Sequence, residues 1–237
     1  MRGLLAAIAF LTRLPVPSRA WAGTSKAPVQ LPWYPVVGLL IGALLAGLAC
    51  LLSRASPLLA AALLLLAWVG ITGGLHLDGL ADSADAWVGG LGDRARTLEI
   101  MKDPRSGPIG VAAIVLVLLL KFAALASRPG LAALWLAPLL GRGILVAAFM
   151  GTPYVRSGGM GSGLVHEPRG ARIAALLLTV LFALGFGMHG VRALVAAAVT
   201  FGLWRWSVMR RLGGMTGDTC GALTELVETA VLVALAL

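Results

Sequence analysis

The sequence predicts an all-α membrane protein, a polytopic helix bundle that forms a single integral domain over residues 1–237. Of these residues, 59% are hydrophobic and 12% are charged, which leaves too little polar surface to cover a soluble globule of this size. Apolar runs of about 20 residues, the length needed to cross a hydrocarbon core, recur along the chain. Short polar stretches that begin or end with Gly, Pro or Arg separate these runs, as expected for connections between helices.

The elements follow in order from the N-terminus. The first stretch, MRGLLAAIAFLTRLPVP, carries a short apolar run, but Arg13 and two prolines stand where a small-residue cleavage site would be needed. We therefore predict a retained interfacial or re-entrant segment. About seven transmembrane helices are predicted after it. They cover residues 34–53, 57–75, 107–126, 130–150, 172–188, 193–212 and 219–237.

The basic residues predict the orientation of the chain. Three of them, Arg54, Arg128 and Arg192, fall on one side of the predicted spans, and fourteen fall on the other. The positive-inside rule then predicts a cytoplasmic N-terminus and a C-terminus outside. We expect the chain in the inner cell membrane, with its active site on the cytoplasmic side. The net charge of +9 suits topology and acidic lipid headgroups, so no nucleic-acid partner is expected. The fourteen are Arg2, Arg13, Arg19, Lys26, Arg94, Arg96, Lys102, Arg105, Arg156, Arg169, Arg172, Arg205, Arg210 and Arg211.

A few polar or reactive side chains fall inside the predicted spans. Lys121 is expected to extend towards an interface, and Arg142 to line an inner cavity. Cys50 and Cys220 form no motif with a second ligand at metal-binding spacing, so neither a disulfide nor a zinc site is indicated.

The first acidic region is the segment GGLHLDGLADSADAW, residues 73–87, which we expect to continue the second span because no proline ends the helix. In a helix, Asp78, Asp82 and Asp85 share one face. Like charges in this arrangement repel, so a cation is expected beside them. Magnesium takes oxygen ligands and commonly bridges carboxylates to substrate phosphates. A merely solvated acidic face is the alternative, but the chain has only ten acids and places three of them here.

The second acidic region is GGMTGDTCGALTELVETA, residues 213–230. Asp218, Glu225 and Glu228 share a helical face, and the two glutamates lie inside an apolar span. Ionisable groups there cost on the order of 3 kcal/mol unless they meet a cavity, a partner or a metal. We predict all three as further metal ligands, with a structural hydrogen-bonded pair of glutamates as the alternative.

Two segments are expected to bind a phosphorylated substrate. In the turn before the last span, glycine permits close backbone approach and the helix N-terminus offers amides to phosphate oxygens. In the loop LEIMKDPRSGPIG, basic side chains suit a phosphate clamp, although ordinary cytoplasmic-loop charge explains them nearly as well. The predicted substrate-binding residues are Gly213, Gly214, Thr216, Gly217, Lys102, Asp103 and Arg105.

Three catalytic residues are predicted. His76 lies beside the aspartate face and could orient a phosphate or accept a proton. Asp82 or Asp218 is the expected general base.

The segments LHLDGLADSADAW, LEIMKDPRSGPIGVAAIVLVLLLKF and GGMTGDTCGALTELVE together resemble the cobalamin synthase family, the adenosylcobinamide-GDP ribazoletransferases. The similarity is dense over residues 73–122 and 213–228. It implies that adenosylcobinamide-GDP meets alpha-ribazole or its 5′-phosphate, giving adenosylcobalamin or its phosphate and releasing GMP. It also implies magnesium as cofactor, and the acidic motif of the family corresponds to Asp78, Asp82 and Asp85.

The sequence also fits two other functions and several partners. DGLAD is similar to the opening of the DGxxAR motif of CDP-alcohol phosphotransferases, so a lipid-headgroup phosphotransferase is the enzymatic alternative. A transporter for a cation or a phosphorylated solute is the alternative from another class, because intramembrane carboxylates also mark ion pathways. Membrane lipids are expected partners. A homo-oligomer, or a complex with other late cobalamin-pathway enzymes, is also possible.

Overall fold

The computed structural model describes residues 2–17, 29–156, 158–159 and 161–237. Arg19 and Lys26, two of the fourteen basic residues counted above, lie outside these ranges. The described chain contains ten α-helices and no β-strand. They are α1 (Arg2–Leu11), α2 (Tyr34–Leu51), α3 (Pro57–Thr72), α4 (Leu75–Gly89), α5 (Arg94–Ile100), α6 (Pro108–Ala126), α7 (Leu131–Gly151), α8 (Arg169–Leu184), α9 (Met188–Leu212) and α10 (Gly217–Ala236).

The all-helical membrane bundle is confirmed. Five helices are long and apolar enough to cross a membrane, namely α2 with its preceding 3-10 turn, α6, α7, α9 and α10. The bent pair of α3 and α4 is a sixth candidate. Helix α8 coincides with a predicted span but has only 16 residues. The protein is therefore a multi-pass membrane protein with five or six spans by length and composition, close to the predicted seven.

Local sequence explains where these helices begin. Proline lies in the first turn of α2, α3 and α6, where its missing N–H leaves no helical hydrogen bond unmade. Ser56 caps α3 by accepting a hydrogen bond from the Leu59 amide. Just after α1, the Arg13 amide donates to the Ile71 carbonyl at 2.7 Å. The N-terminal segment is thereby attached to the end of α3.

Helix α4 does not continue α3, so the expectation that the first acidic region extends the second span was wrong. The two helices meet at 88°. Gly73 and Gly74 separate them with φ values of +64° and +71°. Only glycine adopts this left-handed conformation without a steric penalty from Cβ, so two such residues in succession end the helix and turn the chain.

Helices α7 and α10 form the interior of the bundle, whereas α6 and α9 expose most of their surface. Helix α7 contacts α2, α8, α9 and α10, and α10 also contacts α4 and α6. The core consists of small and branched apolar side chains such as Leu136, Val146 and Val231, which are each 0% exposed. Helix α10 therefore links the interior of the bundle to α4.

Four charged side chains form a buried ion cluster between α6, α7 and α10: Lys121, Arg142, Glu225 and Glu228. The Lys121 ammonium lies 2.6 Å from Glu225 Oε2 and 2.5 Å from Glu228 Oε2, and Arg142 pairs with the other oxygen of Glu228. No member is more than 4% exposed. Lys121 was predicted to extend towards an interface. This prediction was wrong, because two carboxylates hold the side chain in the interior.

Loop contacts define two ends of the bundle. At one end, the Arg128 guanidinium donates to the Ala55 carbonyl at 3.0 Å and joins the α2–α3 and α6–α7 connections. At the other end, the Glu167 carboxylate accepts hydrogen bonds from the Gln30 and Leu31 amides and joins the segment before α8 to the start of α2. Asp78 and Asp218 lie at this second end, where they line a cleft together with Leu164.

Candidate active site

Helix α4 carries the row of aspartates that the spacing predicted. Asp78 is exposed, whereas Asp82 and Asp85 are half-buried. Both oxygens of Asp85 are already engaged: Oδ2 accepts a hydrogen bond from the Gly107 amide at 2.6 Å, and Oδ1 from the Gly110 amide at 2.9 Å. Asp85 therefore fixes the N-terminus of α6 against α4, because it satisfies amides that a helix start leaves unpaired.

The N-terminus of α10 supplies the fourth carboxylate. Thr216 caps the helix and is fully buried; its hydroxyl accepts from the Thr219 amide, and the Thr219 hydroxyl accepts from the Thr216 amide at 2.8 Å. This reciprocal pair of hydrogen bonds is a capping box. It holds the first turn of α10, and therefore Asp218, in a defined position.

Helices α4 and α10 approach closely at Gly79. A Cβ atom built on Gly79 would lie 2.6 Å from the carbonyl oxygen of Asp218, which is closer than real Cβ contacts. Asp82 consequently lies within electrostatic range of Asp78, Asp85 and Asp218. The structure thus brings together the carboxylates of the two acidic regions.

Arg156 is the site residue that sequence reasoning missed, because it counted only as a topological charge. The loop after α7 pairs with the turn before α10: the Met215 amide donates to the Pro153 carbonyl at 2.8 Å, and the Val155 amide donates to the Met215 carbonyl at 2.9 Å. This pairing places Arg156 Nη1 2.8 Å from Asp218 Oδ2. Residues 62 positions apart meet here, so no local spacing could have indicated the contact.

His76 and the glycine turn border the same region. His76 is 4% exposed, and its Nδ1 has no hydrogen-bond partner within the described residues. Gly217 lines a cleft with His76 and Asp218. Gly213 ends α9 with φ +72°, and Gly214 packs against Pro153, where a Cβ would lie 2.4 Å from the carbonyl oxygen. The first two glycines of the turn therefore have structural roles that the sequence did not reveal.

The loop predicted to clamp phosphate lies beside the turn. Met101 Sδ is 3.9 Å from the Thr216 hydroxyl oxygen. Arg105, however, is exposed and binds Asp103 through two hydrogen bonds at 2.7 and 2.9 Å. These hydrogen bonds hold the pKa of Asp103 at about 2. Lys102 is exposed as well. Phosphate binding by this loop remains a prediction.

Glu225 and Glu228 do not join the aspartates, in contrast to the predicted ligand set. Their carboxylates are bound in the buried ion cluster by Lys121 and Arg142. The cluster contains two cations and two anions, so its formal charge is balanced without a metal. A buried carboxylate needs a partner, and here that partner is a side chain.

The remaining carboxylates can be compared with what magnesium needs. Among the described residues, no group of three or more potential ligands is already assembled around one point. Magnesium usually keeps several waters and binds one or two protein carboxylates together with substrate phosphates. Asp78 accepts no hydrogen bond within the described chain, and both hydrogen bonds to Asp218 fall on Oδ2, which leaves Oδ1 available. These two carboxylates are hard oxygen donors, and two of them fit a magnesium ion that a phosphorylated substrate also binds.

Fold and site together define a multi-pass α-helical membrane protein with an aspartate-rich site at one end of the bundle. The chain belongs to the cobalamin-5-phosphate synthase family, whose model matches residues 3–236. It is 57% identical to the adenosylcobinamide-GDP ribazoletransferase of Stutzerimonas stutzeri, over 100% of this chain and 98% of the relative. It is 55% identical to the protein of the same name from Pseudomonas syringae, over 98% and 97% of the two chains. No solved structure matches the chain.

Proposed function

We propose that this protein transfers the cobinamide-phosphate group of adenosylcobinamide-GDP to alpha-ribazole or its 5′-phosphate and releases GMP. The oxygen of a ribose hydroxyl bonds to the phosphorus that carries the cobinamide, the bond to the guanosine phosphate breaks, and the hydroxyl proton passes to a carboxylate. The observation that carries the proposal is the close contact of α4 and α10 at Gly79, which brings the aspartates of α4 near Asp218 and its partner Arg156. The names of the relatives specify the substrates and favour this transfer over a lipid phosphotransferase or a transporter.

Arg156 is suited to the pyrophosphate. A guanidinium has five N–H donors, and the contact with Asp218 uses one of its terminal nitrogens. The remaining donors can bind phosphate oxygens in the fork geometry that favours arginine at such sites. Arg156 would then orient the donor substrate and attract the departing phosphate.

Asp82 is the better placed of the two candidate bases. Asp218 Oδ2 accepts from Arg156 and from the Thr216 hydroxyl, whereas Asp82 accepts no hydrogen bond within the described residues. A carboxylate with free lone pairs can take the hydroxyl proton as the oxygen attacks. Asp82 is also surrounded by other carboxylates, so gaining a proton relieves repulsion.

Magnesium is the proposed cofactor, held by Asp78 and by Oδ1 of Asp218. When bound, it would supply the positive charge that stabilises negative charge developing on the pyrophosphate. Asp85 contributes by holding α6 against α4. We further propose that the site faces the cytoplasm across the inner membrane, since the end of the bundle that carries it also carries most of the loop arginines and lysines.

The proposed reaction is tested with detergent-purified protein, adenosylcobinamide-GDP, alpha-ribazole and magnesium, followed by chromatography for GMP. We expect GMP and the completed corrinoid in equal amounts, and no product after addition of a chelator. CMP formed together with a new phospholipid in assays with CDP-alcohol substrates would instead support the lipid phosphotransferase. Activity confined to sealed vesicles would support the transporter.

Replacement of Gly79 by alanine should reduce GMP release. The added methyl group has no room against the Asp218 backbone, so α4 and α10 must separate, at a cost of about 1–3 kcal/mol typical of overpacking. Misplacement of catalytic groups by 1 Å costs about a hundredfold in rate. Gly70→Ala is the matched control, because a Cβ there meets nothing within 4 Å. Equal activities of the two variants would contradict this account of the helix contact.

A further inference from the structure

A cleft next to the aspartates has features that the proposed chemistry leaves unused. It lies between α1, α2, α4, α7 and α10. Asp78, Gly217 and Asp218 line one part of it. Most of the remaining lining is apolar or aromatic: Phe10, Leu11, Leu145, Phe149 and Leu164. A group bound in this cleft would therefore be mostly apolar and attached to a part that reaches the carboxylates.

Two residues of the cleft lining each carry a buried polar atom without a partner among the described residues. Tyr34 is 1% exposed, and its hydroxyl makes no hydrogen bond to any described residue. His76 is 4% exposed, and its Nδ1 is likewise unpaired there. Buried polar groups in proteins are rarely left unsatisfied. Two residues of one cleft with this need suit a ligand that supplies the missing hydrogen bonds.

Three aromatic residues, Phe10, Tyr34 and Phe149, line this cleft. The rings of Phe10 and Tyr34 stack with centroids 6.3 Å apart and planes 20° apart. Phe149 presents a third ring from α7, itself stacked on Tyr154. An aromatic lining of this kind favours a planar aromatic ligand, which gains from stacking beyond simple burial.

We infer that this cleft is the subsite for the aromatic base of the acceptor nucleoside, with the Tyr34 hydroxyl donating a hydrogen bond to the free ring nitrogen. The inference rests on the proposed function. The base of alpha-ribazole is a methyl-substituted benzimidazole, an apolar bicyclic ring with one nitrogen not bound to the sugar. With Asp78 and Asp218 assigned to the metal, Tyr34 and His76 are the hydrogen-bonding side chains left in this lining, too few for guanine or for the amide-bearing corrin ring. With the base in the cleft, the ribose would point towards Asp78 and Asp218.

The subsite is tested by calorimetric titration of the detergent-purified full chain with two ligands: alpha-ribazole, and the analogue in which a CH group replaces the free ring nitrogen. We expect the wild-type chain to prefer alpha-ribazole by about tenfold or more, and Tyr34→Phe to remove this preference by weakening alpha-ribazole binding alone. Tyr154→Phe is the matched control, because its hydroxyl accepts a hydrogen bond from the Gly161 amide. It should leave the preference unchanged.

A second variant tests the cleft by filling it. Leu145→Trp should abolish alpha-ribazole binding while the chain still binds adenosylcobinamide-GDP, which shows that it remains folded. If Tyr34→Phe and Leu145→Trp both bind alpha-ribazole as the wild type does, the cleft is not the subsite. If the wild-type chain releases no GMP from the two substrates, the proposed function itself fails. GMP release by the wild type, with an unchanged KM for alpha-ribazole in both variants, overturns the subsite alone.

Discussion

Replacement of Asp82 by asparagine should abolish GMP release without changing membrane insertion. Asparagine has nearly the same shape as aspartate but cannot accept the hydroxyl proton, and loss of a general base typically costs about 10²–10⁴ in rate. The substitution should not weaken folding, because Asp82 accepts no hydrogen bond within the described chain and removal of its charge relieves repulsion from Asp78, Asp85 and Asp218. The measurement is the initial rate of GMP formation in detergent.

Asp93→Asn provides the control for this change. Asp93 is exposed and caps the short helix α5 through hydrogen bonds from the Ala95 and Arg96 amides, a role that asparagine can also fill. This variant should keep its activity. A fully active Asp82→Asn protein would remove Asp82 from the mechanism. Loss of activity together with loss of membrane insertion would show a structural role instead.

Replacement of Lys121 by methionine should produce the largest loss of stability. Methionine has a similar length and suits an apolar interior, but it leaves Glu225 and Glu228 with only Arg142 as a counter-charge. Removal of one partner from a buried ion pair typically costs about 3–5 kcal/mol, because the remaining charge is uncompensated. Lys121 also lies 4.9 Å from the Trp68 ring centre, and this cation–π contact is lost too. Thermal unfolding in detergent measures the effect.

A second substitution should restore much of this stability. In the double variant Lys121→Met, Glu225→Gln, one cation and one anion are removed together, so the pair of Arg142 and Glu228 remains balanced. Exchange of a buried ion pair for less polar groups is often close to neutral. If the double variant is less stable than Lys121→Met alone, charge balance does not explain why the cluster exists.

Periodicity and composition predicted the helices well, because each depends on local sequence. The apolar runs fell on α2, α3 and α6 to α10, and the spacing of Asp78, Asp82 and Asp85 predicted their common helix. The bend before α4 was missed, although Gly73 and Gly74 stood in the sequence. Two adjacent glycines are compatible with a helix or with a turn, and only the packing of α4 against α10 decides between them.

The long-range charge partners could not be predicted in the same way. The sequence alone showed that Glu225 and Glu228 need a partner inside the membrane. A metal ion and a basic side chain satisfy that need equally. Their partners Lys121 and Arg142 lie on other helices, and more than 80 residues separate Glu228 from Arg142. The contact between Arg156 and Asp218 depends on backbone pairing between two loops. Such contacts follow from the packing of the bundle and leave no local pattern.

The right-angled course of α4 affects how a long substrate can lie. Since α4 leaves α3 at 88°, its row of carboxylates runs across the direction of α3. A pyrophosphate aligned with that row would lie across the ends of the helices, with its two bulky substituents projecting in opposite directions. A molecule as large as a corrinoid nucleotide could then dock and depart laterally, and the interior of the bundle would never have to open for it.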